Sequence, residues 1–558
     1  MTHTGGQILA SALVHQQVDT VFAIPGIQLD WAIDALRERK GEIELVVPRH
    51  EQATTYMADG YYRASGKPGV AMVVPGPGVL NAGAGLATAY AANSKVVFIA
   101  GNVHSENIAA GYGLLHEIKD QTGVVAGLTK WNRRIDQATE IDSAIATAFA
   151  QVHSGRPGPV GLEVPHDVLE SRIEPPHPSA RQTGEAPFAL EEAKLAEIVR
   201  AIDGARLPVL YVGGGVLASQ AGAALRLLAE KLNAPVVMSD NGLGALSDRH
   251  PLAMNTLAGR AIFEHADVAI VVGSRFLGSM YPLPAWSSDK VRFIFINIDA
   301  ADMTSPRQPS IAMQADARIA LEALAERVKP RKVLTPAEAA GLKAWAQVQI
   351  DHVSPQADYI RAMRAALPDD GIFVNELTQV GYLSRIAFPI YSPNTYIGPT
   401  YQGTLGYGFP TALGAAVGGK GRRVLSITGD GGFGWNLQEL ATARKYNLPV
   451  TLVVFNDGYF GNVRAIQKRV FGPENEFAVR LENPDFLTLA AAFRVPAVRA
   501  DSPAALQAAV TDSLRENGPV LIEVPVGEMP SPWPLLRLQP MPGVSAPDAG
   551  PHPLSARD

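Results

Sequence analysis

The chain has 558 residues, 47% hydrophobic and 18% charged, with a net charge of −6 and no cysteine. That length exceeds one core and suits three domains of ordinary globular composition. The mild negative balance gives no reason to expect nucleic-acid binding, and the missing cysteines exclude disulfides, thiolate metal sites and cysteine nucleophiles.

Met1-Thr2-His3-Thr4-Gly5-Gly6 lacks a basic stretch followed by an apolar one, so no signal peptide is expected here. The apolar runs are too short to span a bilayer, which takes about 20 residues. Both readings fit a cytoplasmic address. In chain order, strand-like runs fall at 70–74, 96–99, 209–212, 236–238, 268–272, 293–298, 424–428 and 450–455. Helix-like segments such as 223–232 and 504–514 lie between them. The alternation predicts an α/β protein of three doubly wound parallel-sheet domains. The proline-rich stretch 172–187 and a second break over 328–355 divide it into 1–170, 190–328 and 355–527. A proline-rich tail over 528–558, including Pro540 and Pro542, reads as irregular, either partly disordered or a lid. Gly158-Pro159-Val160-Gly161-Leu162-Glu163-Val164-Pro165 and Gly518-Pro519-Val520-Leu521-Ile522-Glu523-Val524-Pro525 share six of eight residues. The echo predicts that the first and third domains are duplicates of one fold.

Chemistry concentrates at three places. Gly429-Asp430-Gly431-Gly432 follows one strand, where glycines let backbone N–H groups approach phosphate oxygens. Asn456-Asp457-Gly458-Tyr459 follows the next strand, after a helix expected over 438–446. Asp430, Asp457, the Tyr459 carbonyl, two diphosphate oxygens and a water would complete an octahedral Mg²⁺ shell. Each turn alone is common; the spacing of the pair carries the reading. Near the N-terminus, an apolar run over 43–47 ends at Pro48-Arg49-His50-Glu51-Gln52.

On these motifs the chain resembles the thiamine diphosphate-dependent enzymes of the acetolactate synthase group, relatives of benzaldehyde lyase and oxalyl-CoA decarboxylase. The likeness runs from about residue 4 to 527. It implies a pyrimidine-binding, a central Rossmann-like and a diphosphate-binding domain. Glu51 then hydrogen-bonds the aminopyrimidine ring. Leu405, in Gly403-Thr404-Leu405-Gly406, is the wedge under a bent cofactor, with Thr378 and Gln379 on the diphosphate side. The family carries Asn where this chain has Asp457, which adds a negative charge near the diphosphate. Ile27 and Gln28 should line the pocket, and His116 stands where relatives carry Gln, placed to move protons. Relatives use the central domain for FAD, for ADP or for neither. The Gly213-Gly214-Gly215 turn is a weak nucleotide signal, and a structural role is favoured. The family pairs its outer domains between subunits, so a homodimer is the minimum and a homotetramer common.

The expected activity is that of a lyase or carboligase on 2-oxo acids, with acetolactate-type products. A 2-hydroxyacyl-CoA lyase or 2-oxoacyl-CoA decarboxylase is the alternative. Other classes are a non-catalytic cofactor-binding relative and a nucleotide-dependent oxidoreductase.

Overall fold

Apolar runs such as Val96–Asn102, Val424–Gly429 and Val450–Asn456 are buried along almost their whole length. They need cover on both faces and become central strands of parallel sheets. The computed structural model describes residues 2–182, 188–276, 290–304, 308–538 and 548–557. Pro187, Pro540 and Pro542, part of the linker and tail readings, lie outside them. Among the described residues there are three six-stranded parallel sheets and a short antiparallel pair, His3–Thr4 with Arg172–Ile173. No described helix is long and apolar enough to cross a membrane.

The first sheet has the spatial order Glu44–Val46, Thr20–Ala23, Gly69–Val73, Val96–Asn102, Val160–Pro165, Trp131–Arg134. Numbered along the chain, this is 2-1-3-4-6-5. The third sheet runs Tyr396–Ile397, Ile372–Val374, Val424–Gly429, Val450–Asn456, Val520–Pro525, Ala497–Arg499, again 2-1-3-4-6-5. The repeated segment forms the sixth strand in both. The echo in sequence is therefore a true structural repeat. The middle sheet, Ala253–Met254, Val236–Met238, Pro208–Val212, Val268–Val272, Arg292–Asn297 and Ile311–Gln314, has the order 3-2-1-4-5-6 of a dinucleotide-binding fold.

The two like domains meet through equivalent helices, Glu51–Ser65 and Gly408–Gly419, each joining its domain's second and third strands. Glycine makes the approach close enough. A Cβ at Gly60 would collide with the Thr411 carbonyl oxygen, and one at Gly414 with the Met57 carbonyl oxygen. A buried network fastens the same seam. Ser94 Oγ donates to Asp59 Oδ1 (2.5 Å), Tyr407 OH donates to Asp59 Oδ2 (3.2 Å), and Arg63 Nη1 donates to Tyr407 OH (2.9 Å). Burial raises the Asp59 pKa, and the Arg63 charge and these hydroxyls pull it back.

Residues 328–355, read as a break, contain the helix Pro336–Asp351, entered through a Thr335/Glu338 capping box. The helix expected over 438–446 is a 3-10 turn, Leu437–Glu439, followed by Leu440–Lys445. The described part of the tail is packed and includes a 3-10 helix, Pro553–Arg557. Leu535 and Leu554 are fully buried, Trp533 packs on Tyr382 with ring centroids 4.9 Å apart, and Arg260 donates to the Pro534 and Arg537 carbonyls.

Where the middle domain meets the third, Asp248 Oδ2 accepts from Ile390 N at 2.6 Å. Burial pushes this carboxyl from its ordinary 3.8 up to about 6, against that hydrogen bond and the Lys343 charge. An acid whose pKa is raised on folding contributes stability fully below its unfolded pKa and loses it as pH rises through the folded one. Asp248→Asn keeps an acceptor for Ile390. It is expected to exceed the parent in stability near neutral pH by roughly 2–3 kcal/mol, with the gain gone below about pH 4. Equal urea midpoints for the two proteins at neutral pH would contradict this.

Candidate active site

Strand Val424–Gly429 delivers Asp430 to the first position of a short helix, Asp430–Phe433, at the carboxyl edge of the third sheet. The neighbouring strand Val450–Asn456 delivers Asp457 beside it. Asp430 Oδ2 accepts from Gly458 N (3.0 Å) and Asn483 Nδ2 (2.6 Å), and Asp457 Oδ1 accepts from Tyr459 N (3.0 Å). Burial and the Asp430 charge push the Asp457 carboxyl up to about 6, and burial raises Asp430 as well. A buried carboxylate that raises the pKa of a half-buried neighbour makes a site in want of a cation.

The glycines around them leave room. A Cβ at Gly431 would sit 2.8 Å from the Phe460 ring, and Gly461 leaves space for Asp457 Oδ2. Thr378 caps the helix Gln379–Ala387, accepting from Gly381 N (2.9 Å). Gln379 Oε1, at the head of that helix, is buried without a hydrogen-bond partner. The Arg464 guanidinium lies 3.9 Å over the Tyr459 ring.

The turn 403–408 carries Leu405 between Gly403 (φ 58°) and Gly406 (φ 79°), and Leu405 is 39% exposed. A side chain that sequence reasoning missed, Glu376, ties this turn down. Its Oε1 accepts from Gly406 N (2.8 Å) and its Oε2 from Gly408 N (2.9 Å). Burial pushes this carboxyl up to about 7 against those donors. Gly432 lacks the Cβ that would collide with Glu376 Oε1, so this residue links the wedge turn to the Asp430 loop. Asn483, also missed, bridges Asp430 and Asn456, whose Oδ1 is 3.1 Å from Asn483 Nδ2. The only local hint was that Glu376 stands two positions before Thr378.

The other residues gather at the carboxyl edge of the first sheet. Glu51 opens its helix, and His50 caps it through Nδ1 accepting from Gln52 N. Arg49 N and His50 N both donate to the Glu439 carboxylate of the third domain at 3.1 Å, which fixes the entry to the helix. Glu51 is half-buried, and its Oε2 accepts from Asn81 Nδ2 at 3.0 Å. His116, at φ 68°, places Nδ1 2.9 Å from Gln28 Oε1. That amide oxygen only accepts, so Nδ1 carries the proton and Nε2 is left as an acceptor. Gln28 Nε2 donates to the Leu115 carbonyl (3.1 Å), and Ile27 is 58% exposed beside it.

The structure thus brings Gln28 to His116, and Thr378, Gln379, Asp430, Asp457 and Tyr459 to one sheet edge. Glu51 makes its side-chain hydrogen bond within its own domain. In the middle domain the glycine turn serves backbone packing: Gly215 N donates to the Gly273 carbonyl at 3.0 Å. Arg275 stacks over Tyr401 of the third domain at 4.7 Å.

The close pairing of Asp430 and Asp457 at two neighbouring strand ends fits a divalent cation of the Mg²⁺ type. Comparison with known proteins agrees. Residues 3–124 match the thiamine pyrophosphate enzyme N-terminal TPP binding domain, 195–324 the central domain and 379–524 the C-terminal TPP binding domain. The chain is 34% identical over 508 residues to a probable 2-ketoarginine decarboxylase of Pseudomonas aeruginosa, covering 88% of each. It is 30% identical over 548 residues to the acetolactate synthase isozyme 1 large subunit of Escherichia coli, covering 96% of each. It is 31% identical over 544 residues to the isozyme 2 large subunit, covering 95% of this chain and 97% of the other. With all three domains matched in order and relatives aligned over nearly their full lengths, the chain belongs to the thiamine pyrophosphate enzymes.

Proposed function

We propose that this chain is a thiamine diphosphate- and Mg²⁺-dependent enzyme that cleaves and forms C–C bonds next to the carbonyl of 2-oxo acids. When bound, thiamine diphosphate would supply the carbon nucleophile for chemistry at that carbonyl. The observation that carries the reading is the Asp430–Asp457 pair at neighbouring strand ends, where burial and the Asp430 charge raise the Asp457 pKa. Asp430, Asp457 and the Tyr459 carbonyl hold the metal. Thr378, Gln379 and Gly429, Gly431 and Gly432 receive the diphosphate, and Leu405 with Gly403 shapes the bend. Glu51 exchanges a proton with the pyrimidine ring. His116, oriented by Gln28, presents its Nε2 to the reacting carbonyl or alkoxide as a proton carrier. The middle domain is structural in this reading, which a flavin-free, colourless protein would match.

Self-association to at least a homodimer is part of the proposal. Helix Gly461–Phe471 has no buried residue and exposes Val463, Ile466, Val470 and Phe471, and Phe477 nearby is 84% exposed. A row of this kind is what a second copy would cover. A cytoplasmic address, supported by the cysteine-free composition, completes the reading.

The donor is a 2-oxo acid, with pyruvate the first to test. The similarity to a probable 2-ketoarginine decarboxylase adds longer, cationic 2-oxo acids. Turnover of such a panel, with CO₂ and product detection and with 2-hydroxyacyl-CoA substrates alongside, tests the assignment. Activity confined to the CoA esters would replace it with a hydroxyacyl-CoA lyase. His116→Ala is expected to lower kcat/KM by about 10²-fold while leaving cofactor affinity unchanged. An equal loss of cofactor affinity would make His116 structural instead.

A further inference from the structure

We propose that Glu264, His265 and His552 form a binding site for a divalent transition metal of the Zn²⁺ type, clasping the C-terminal residues to the middle domain. Glu264 and His265 are the last two residues of helix Thr256–His265. The chain end returns to them along helix Pro336–Asp351. Trp345 Nε1 donates to the Gly550 carbonyl (3.0 Å), and Pro553 packs into the space left by Gly341. Leu554 is fully buried, and the Arg557 guanidinium grips both Glu338 oxygens at 2.7 Å. This docking sets His552 against His265, with ring centroids 5.3 Å apart at 74°, and 3.0 Å from Glu264 Oε2 through Nε2. One donor atom from each of the three residues lies within 4.8 Å of the others.

The donor set is two imidazoles and one carboxylate, borderline nitrogen and oxygen ligands that suit Zn²⁺, with water completing a tetrahedron. Bonds of about 2.0–2.1 Å place ligand atoms about 3.3 Å apart. The His552–Glu264 pair already has that spacing. The Glu264 side chain is 57% exposed, so it is free to rotate and draw the set together. His552 faces Glu264 through Nε2, so this nitrogen, and not the buried Nδ1, is the one placed to ligate. The cluster lies on the middle domain and shares no residue with the Asp430 clamp.

The test uses the full-length protein loaded with thiamine diphosphate and Mg²⁺ and titrated with Co²⁺. A single Co²⁺ per chain with tetrahedral d–d absorption, displaced by Zn²⁺, is expected. Zn²⁺ should also raise the thermal midpoint. His552→Ala and His265→Ala, one on the tail and one on the helix, should each weaken binding by more than about 10-fold while turnover persists. Absence of the absorption in the parent would overturn the site and leave a hydrogen-bonded clasp. So would equal Co²⁺ affinity in parent and both variants.

Discussion

Replacing Glu51 with glutamine is expected to lower kcat by about 10²–10⁴-fold, the range set by loss of a positioned proton carrier. Thiamine diphosphate affinity should hardly change. Glutamine is nearly isosteric and still accepts from Asn81 Nδ2, so the head of helix Glu51–Ser65 keeps its geometry. The backbone before it stays fixed, because Arg49 N and His50 N rest on Glu439. Asp430 and Asp457, the proposed anchors for diphosphate and metal, belong to another domain. What the amide cannot do is exchange a proton with a ring nitrogen. Steady-state turnover combined with cofactor titration separates the two effects. Full activity in the variant would remove Glu51 from the reaction, and loss of cofactor binding would make it an anchor.

Gly414→Val should unfold the protein or destabilise it by more than about 3 kcal/mol. Helices Glu51–Ser65 and Gly408–Gly419 approach so closely that a Cβ at Gly414 lands on the Met57 carbonyl oxygen, and backbone cannot rotate out of the way. Separating the helices to admit the side chain would also pull apart the buried Asp59, Ser94, Tyr407 and Arg63 network. Gly204→Ala is the control. It ends helix Glu192–Gly204 with nothing near the position of an added Cβ, so a change within about 1 kcal/mol is expected. A parent-like urea midpoint for Gly414→Val would refute the close packing.

The central strands were legible because parallel sheets covered on both faces need uninterrupted apolar runs, and 424–428 and 450–455 are such runs. The repeat was legible because the last strand of each sheet in chain order kept six of eight residues in both copies. Helix Pro336–Asp351 was missed although its start signals were present: Thr335, Pro336 and Glu338 are cap, first-turn proline and capping-box partner. The candidate chemistry could be named from two short motifs, but its support could not. Glu376 holds backbone amides 30 and 32 positions away, Asn483 reaches Asp430 across 53 positions, and Glu439 reaches Arg49 across 390. Such contacts leave no periodicity, since they depend on which loops the topology brings to one edge. The tail looked unstructured for the same reason. Its anchors, Arg260, Tyr382 and Trp345, lie far upstream.

The shared strand order has a consequence for inheritance of defects. Each chain is a near-dyadic pair in which, on the proposed roles, one copy carries the acid–base edge and its twin the cation-holding edge. If two such pairs combine crosswise, every dimer owns two reaction centres, each drawing one edge from either parent. A hybrid of a chain lacking Glu51 with a chain lacking Asp430 would then assemble one centre with both lesions and one with neither. Two individually dead proteins, mixed, would regain activity.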